Sequence, residues 1–111
     1  MTFDATMRID DGTAVVRLTG ELDGRSAPTL NQLIADAVAA QVGRLVLLVH
    51  DVTYMSSAGI RCLVFAHQKL PRGAEIVLVG TRPEVAETIR LTGFDRSVVL
   101  QESVTKGPAE V

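Results

Sequence analysis

The stretch Val52-Thr53-Tyr54-Met55-Ser56-Ser57-Ala58-Gly59-Ile60 sets two adjacent hydroxyls between an aliphatic run and an apolar helical pattern. Loops at the carboxyl ends of parallel strands are where α/β proteins concentrate function. A helix start has N–H groups without intrahelical acceptors and a partial positive charge. A serine there either caps the helix or carries or binds a phosphate. Gly59 leaves the first turn open to an approaching partner. On residue type alone, capping and phosphoryl acceptance both stay open.

The remaining reactive side chains carry less. Cys62 is the one cysteine, which excludes an intramolecular disulfide and a cysteine-cluster zinc site. It reads as a small buried hydrophobe. His67 falls on a core-facing helix position and reads as a partly buried structural histidine; His50 follows the most aliphatic run. Two histidines leave little for a metal. Asp51 could accept a phosphoryl group as in a receiver domain. That chemistry needs further acids after the first strand and a lysine at a later strand end. Asp10-Asp11 runs straight into a turn, and the only lysines are Lys69 and Lys106. No Ser/His/acid set is suitably spaced, and no Gly-rich phosphate loop is present. No catalytic residue, metal or cofactor is therefore expected, and the chain reads as a non-enzyme. Glu21 and Asp23 precede a helix, where acids are mildly favourable.

The elements that position Ser56 and Ser57 follow from periodicity. Phe3, Ala5, Met7 and Ile9 alternate with polar residues as a half-buried strand does. Asp11-Gly12 is a hairpin signal, and Ala14 to Thr19 returns as a second strand. Ser26 is a candidate N-cap with Pro28 in the first turn. Leu30, Leu33, Ile34, Ala37 and Val38 form one helical stripe, and Gly43 is placed to end it. Arg44 to Val49 is an unbroken aliphatic run, which predicts a central strand covered on both faces or deep in the sheet. Residues 51–57 read as a loop, and a second helix is expected over about 57–70, stopped by Pro71-Arg72-Gly73. Ala74 to Gly80 is a third aliphatic strand. Thr81 could cap a helix running to about Thr92 and closed by Gly93, and 97–101 reads as a short edge strand. The order is β-β-α-β-α-β-α-(β). It predicts an α/β fold, a small mixed sheet of four to five strands with helices packed on it.

The chain of 111 residues is 47% hydrophobic, 22% charged and 4% aromatic. This suits one domain with an aliphatic core, expected over 1–102, with 103–111 as a flexible tail. The net charge of −2 leaves no footprint for nucleic acid or an anionic membrane. No apolar run is long enough to span a bilayer, and the first residues do not read as a signal peptide. A cytoplasmic protein is expected.

Tyr54-Met55-Ser56-Ser57-Ala58-Gly59-Ile60 resembles the signature of the STAS family of anti-sigma factor antagonists, Asp-Ser-Ser-Gly-Leu after a strand. Leu18-Thr19-Gly20-Glu21-Leu22-Asp23 resembles its Gly-Glu-Leu-Asp segment. Val79-Gly80 and Leu91-Thr92-Gly93-Phe94-Asp95 resemble its last strand and last helix end. The resemblance spans about Met7 to Gln101 and implies the STAS fold. It implies a regulatory module that sequesters a serine-kinase-like anti-sigma factor, is switched off by phosphorylation and so controls sigma-factor-dependent transcription. Ser57 would be the phosphorylated serine, with Ser56 the alternative hydroxyl. Glu21, Asp23, Tyr54, Met55, Ser56, Ser57, Gly59, Ile60 and Arg61 would meet the partner, and a phosphatase could reset the switch. The sequence departs from the pattern at Ser56 and Leu48, where the family usually carries acids, and at Ala58, where it carries a second serine. The same surface could instead serve an unphosphorylated adaptor or a homodimer.

Overall fold

The computed structural model describes residues 3–102. The tail expected over 103–111 lies outside the described residues. Strand β1 (Asp4–Asp10) turns through Asp11 and Gly12 into β2 (Thr13–Leu22). Both turn residues have left-handed φ, 51° and 80°. This is the type I′ geometry whose twist matches a two-residue hairpin. Helix α1 (Ala27–Ala39), β3 (Arg44–Met55), α2 (Ser57–Lys69), β4 (Glu75–Val79), α3 (Pro83–Leu91), a 3-10 turn (Phe94–Arg96) and β5 (Val99–Gln101) follow. The five strands form one sheet in chain order. β1 is antiparallel to β2, and every later pair is parallel. The mixed sheet with helices packed on it is the predicted class.

The core is built in registered rows. Ala14, Leu45 and Ile76 align across β2, β3 and β4, as do Val16, Leu47 and Leu78. All six are buried. Leu30 and Ile34 of α1, Ile60 and Leu63 of α2, and Val85 and Ile89 of α3 join them in one aliphatic cluster. Ser26 is the one buried polar residue among those described.

Several expectations need correction. β3 is the central strand of the sheet, as expected, but it is not covered on both faces: Val46 and Leu48 are half-buried, while four successive residues of β4, Ile76 to Val79, are buried. β4 is therefore the strand enclosed on both faces. α1 ends before Gly43. Gln41 takes the left-handed conformation instead, φ 53°, and the N–H of Gly43 donates to the Gly12 carbonyl at 2.9 Å. Thr81 does not cap α3. Arg82 holds that position without a side-chain cap, and the Thr81 hydroxyl is buried without a partner among the described residues. His67 is exposed, with its ring edge-on to Phe94 at 5.8 Å. Gly93 does end α3, with φ 80°. No helix among the described residues is long and apolar enough to cross a membrane.

Leu47 is 0% exposed at the centre of these rows. Leu47→Ala should destabilise the fold by about 2–5 kcal/mol. Glu75→Gln, which breaks an exposed 3.3 Å pair with Arg44, should stay within about 1 kcal/mol. Urea unfolding of both variants checks the contrast.

Candidate functional site

The site is made where β2 and β3 end together. Both strands run further than their aliphatic cores suggest, and 51–55 is strand rather than loop. After two register shifts the pairing continues through Glu21 with Tyr54 and Leu22 with Met55. The N–H of Ser56 then donates to the Leu22 carbonyl at 2.9 Å, and α2 starts at the next residue. The helix start is thus tied directly to two adjacent strand ends.

The two serines divide the roles that residue type left open. Ser56 is extended, with φ −91° and ψ −179°, and its hydroxyl accepts from the N–H of Ala58 at 3.1 Å. It is the N-cap. Ser57 is the first residue of the helix. It is exposed and has no side-chain hydrogen bond among the described residues. Arg61 lies one turn on and is also exposed. A side chain at i+4 shares the helix face with residue i. An anion on Ser57 would meet both the helix dipole and this guanidinium.

Gly59 allows the helix to approach. A Cβ there would lie 2.7 Å from Cγ of Met55 and 2.9 Å from Cγ of Leu22. The glycine is buried against the strand ends, not open to a partner. Met55 at 4% and Ile60 at 6% exposure are core side chains. All three lie on the side of the helix turn that faces inward. Tyr54 remains 51% exposed. Ser57, Arg61 and Tyr54 therefore form the outward part, with half-buried Glu21 and Asp23 on the neighbouring loop.

Asp23 has a structural duty that residue type alone did not reveal. Its Oδ1 accepts from the N–H of Arg25 at 3.0 Å and of Ser26 at 3.3 Å. In return, the N–H of Asp23 donates to the Ser26 hydroxyl at 2.9 Å. This is a reciprocal capping box. Ser26 stands at the N-cap position of α1, as expected, but makes no side-chain cap bond; its hydroxyl donates to the Glu21 carbonyl at 2.7 Å, and Asp23 supplies the capping side chain. The three-residue Asp-to-Ser spacing was the available signal. The backbone bond from Arg25 holds the Asp23 carboxyl below the ordinary carboxylate value, with Ser26 helping against a small desolvation effect. Beside it, Phe3, Glu21, Asp23, Arg25, Ser26 and Thr29 line a shallow cleft of about 340 Å³.

Catalytic chemistry finds little support. The Cys62 thiol lies 3.6 Å from the Ala27 carbonyl and donates to it. Burial pushes its pKa up to about 11, against a smaller opposing effect of Arg61. A thiol held protonated is a poor nucleophile. His50 sits 3.6 Å from Asp51, both half-exposed, and its carbonyl accepts from Nε of Arg82 at 3.0 Å. No group of three metal-ligating side chains is found among the described residues.

Known proteins resemble this chain over most of its length. The model of the STAS domain family matches residues 4–107. The chain belongs to the STAS domain family. BtrV of Bordetella bronchiseptica is 31% identical over 90 residues, covering 80% of this chain and 78% of that protein. The anti-sigma-F factor antagonist RsfB of Mycobacterium tuberculosis is 26% identical over 92 residues, covering 83% and 75%. The crystal structure of an anti-sigma factor antagonist from Mycobacterium paratuberculosis superposes with a TM-score of 0.81 at 30% identity, covering 90% of this chain and 86% of that one.

Two outcomes test the construction of the site. Gly59→Ala should destabilise the fold by about 1–3 kcal/mol through overpacking, although alanine is the better helix former; thermal and urea unfolding measure this. Asp23→Asn should lower the melting temperature by a few degrees at pH 7. A depressed carboxyl pKa contributes stability above the ordinary carboxylate value of 3.8 and loses it as pH falls through the lower folded value. The melting difference should therefore shrink as pH drops below that value.

Proposed function

We propose that this chain is an anti-sigma factor antagonist that binds a serine-kinase-like anti-sigma factor and is released by phosphorylation of Ser57. The observation that carries this reading is the division between the two hydroxyls. Ser56 is engaged as the cap, while Ser57 stands exposed at the first helical position. The RsfB relative and the similar mycobacterial structure are both described as anti-sigma factor antagonists. That supports the partner class, and family membership supports a regulatory binding role rather than an enzymatic one.

The chemistry needs little from this chain. The partner's ATP supplies the γ-phosphoryl group, the Ser57 oxygen accepts it, the hydroxyl proton leaves and ADP is released. The product carries about −1.5 to −2 added charges and three acceptor oxygens. Beside the α2 N-terminus and one turn from Arg61 this charge is accommodated within the fold. Its effect falls on the partner, whose surface had packed against a neutral hydroxyl, with Tyr54, Arg61, Glu21 and Asp23 around it. A phosphatase would reset the switch, and the protein would act in the cytoplasm as a single domain controlling sigma-factor availability.

Incubation of the full chain with ATP and a cognate kinase-like partner should yield a species about 80 Da heavier, mapped to Ser57 by mass spectrometry. By calorimetry, Ser57→Asp should weaken partner binding at least about tenfold, roughly 1.4 kcal/mol. Ser57→Ala should bind as wild type and take no label. The melting temperature of the phosphorylated form should not fall. Equal affinity of Ser57→Asp and wild type would sink the switch and leave the adaptor reading.

A further inference from the structure

The outer edge of β1 is unpaired among the described residues, and its side chains match a second copy of themselves. The hairpin fixes which groups face outward. Around a two-residue turn the flanking residues exchange hydrogen bonds, so Asp10 and Thr13 form the first bonded pair in the observed register. Bonded and non-bonded pairs alternate along an antiparallel ladder. Arg8, Thr6 and Asp4 therefore bond inward to β2. The N–H and C=O groups of Ala5, Met7 and Ile9 point to the free edge. Ile9 is also one of the few large apolar side chains left open, 40% exposed.

An unpaired edge of this length invites association unless charges or bulges block it. β1 is a regular strand paired with β2 along its whole length. Its charges, Asp4, Arg8 and Asp10, are exposed and have no ion-pair partner among the described residues. They select among the antiparallel registers in which two copies could pair. Centred on Met7, each Asp4 faces an Asp10, twice repulsive. Centred on Arg8, the two guanidinium groups face each other. Centred on Ile9, Arg8 faces Asp10 twice, but only residues 8–10 of β1 overlap. Centred on Thr6, Asp4 faces Arg8 twice, with no like pair, and residues 4–8 overlap. In that register Ala5 and Met7 exchange backbone bonds, and Phe3 lies across from Ile9. Phe3, Ala5 and Met7 already pack against the aliphatic cluster. The pairing would extend that apolar side from one copy to the next.

We propose that the β1 edge is a homodimerisation surface, two copies joining antiparallel about Thr6 into one ten-stranded sheet through Asp4–Arg8 pairs. Cross-strand opposite charges each contribute roughly 0.2–1 kcal/mol, and like charges oppose pairing. Closure is isologous, so the association stops at two copies.

The test uses the full chain and two exposed positions. Sedimentation should show a concentration-dependent dimer for wild type. Asp4→Arg and Arg8→Asp should each raise the dissociation constant about tenfold or more, because each turns both pairs repulsive. An equimolar mixture of the two variants should recover dimer, because each charge then meets its opposite in the other chain. The register is read separately by Thr6→Cys. Facing residues in a non-bonded pair have Cα atoms about 4.5 Å apart, within disulfide range, so mild oxidation should link two Thr6→Cys chains. Asp10→Cys should not link. A wild-type monomer up to about millimolar concentration, dimerisation untouched by either charge reversal, failure of the mixture to recover dimer, or equal linking at residue 10 would each overturn the proposal. None of these readouts depends on Ser57, so this result and the switch stand or fall apart.

Discussion

The close approach of α2 to the ends of β2 and β3 governs the geometry of the site. Gly59 lies where no Cβ fits, against Met55 and Leu22. Those residues are paired across the two strands, and the Leu22 carbonyl accepts the N–H of the helix cap. Helix start and strand ends are therefore one rigid junction. Ser57 is displayed on it with a defined direction, although the segment was expected to be a loop. A signalling group on a packed junction presents the same surface each time, so a partner meets little conformational entropy there.

The junction also separates tasks that a lone serine would have to combine. Capping uses the Ser56 oxygen and leaves the Ser57 oxygen free. On the neighbouring helix Asp23 caps, while Ser26 ties the loop back to Glu21. Both helix starts are held by local hydrogen bonds, so charge can change outside them without unravelling either. Among the described residues the interior beneath is apolar apart from Ser26 and holds no buried ion pair for an added charge to disturb.

Much of this was legible in residue order. The aliphatic runs, the Asp11-Gly12 turn and the helical stripes led to the element order and the mixed sheet, because periodicity reports burial directly. The serine pair at a helix start was also legible. The extent of β2 and β3 was not. Thr53, Tyr54, Gly20 and Glu21 break the apolar pattern, yet the backbones stay paired through register shifts that only the partner strand reveals. Met55, Gly59 and Ile60 were grouped with the partner surface through the resemblance, and the fold turns them inward. Gly43 looked like a helix stop, but Gln41 adopted the left-handed turn. Side-chain capping by Asp23 rather than Ser26 depended on hydrogen-bond direction, which residue type alone leaves ambiguous.

The hairpin has a kinetic meaning as well. Among the described strands, only β1 and β2 are joined through two residues; each parallel pair must first wind a helix between its members. Loop closure is least demanding at the hairpin and grows with the length enclosed. During synthesis the hairpin also leaves the ribosome before β3, β4 and β5. β2 can then serve as the template on which β3 aligns, and the junction bearing Ser57 is complete only once that long-range pairing has closed.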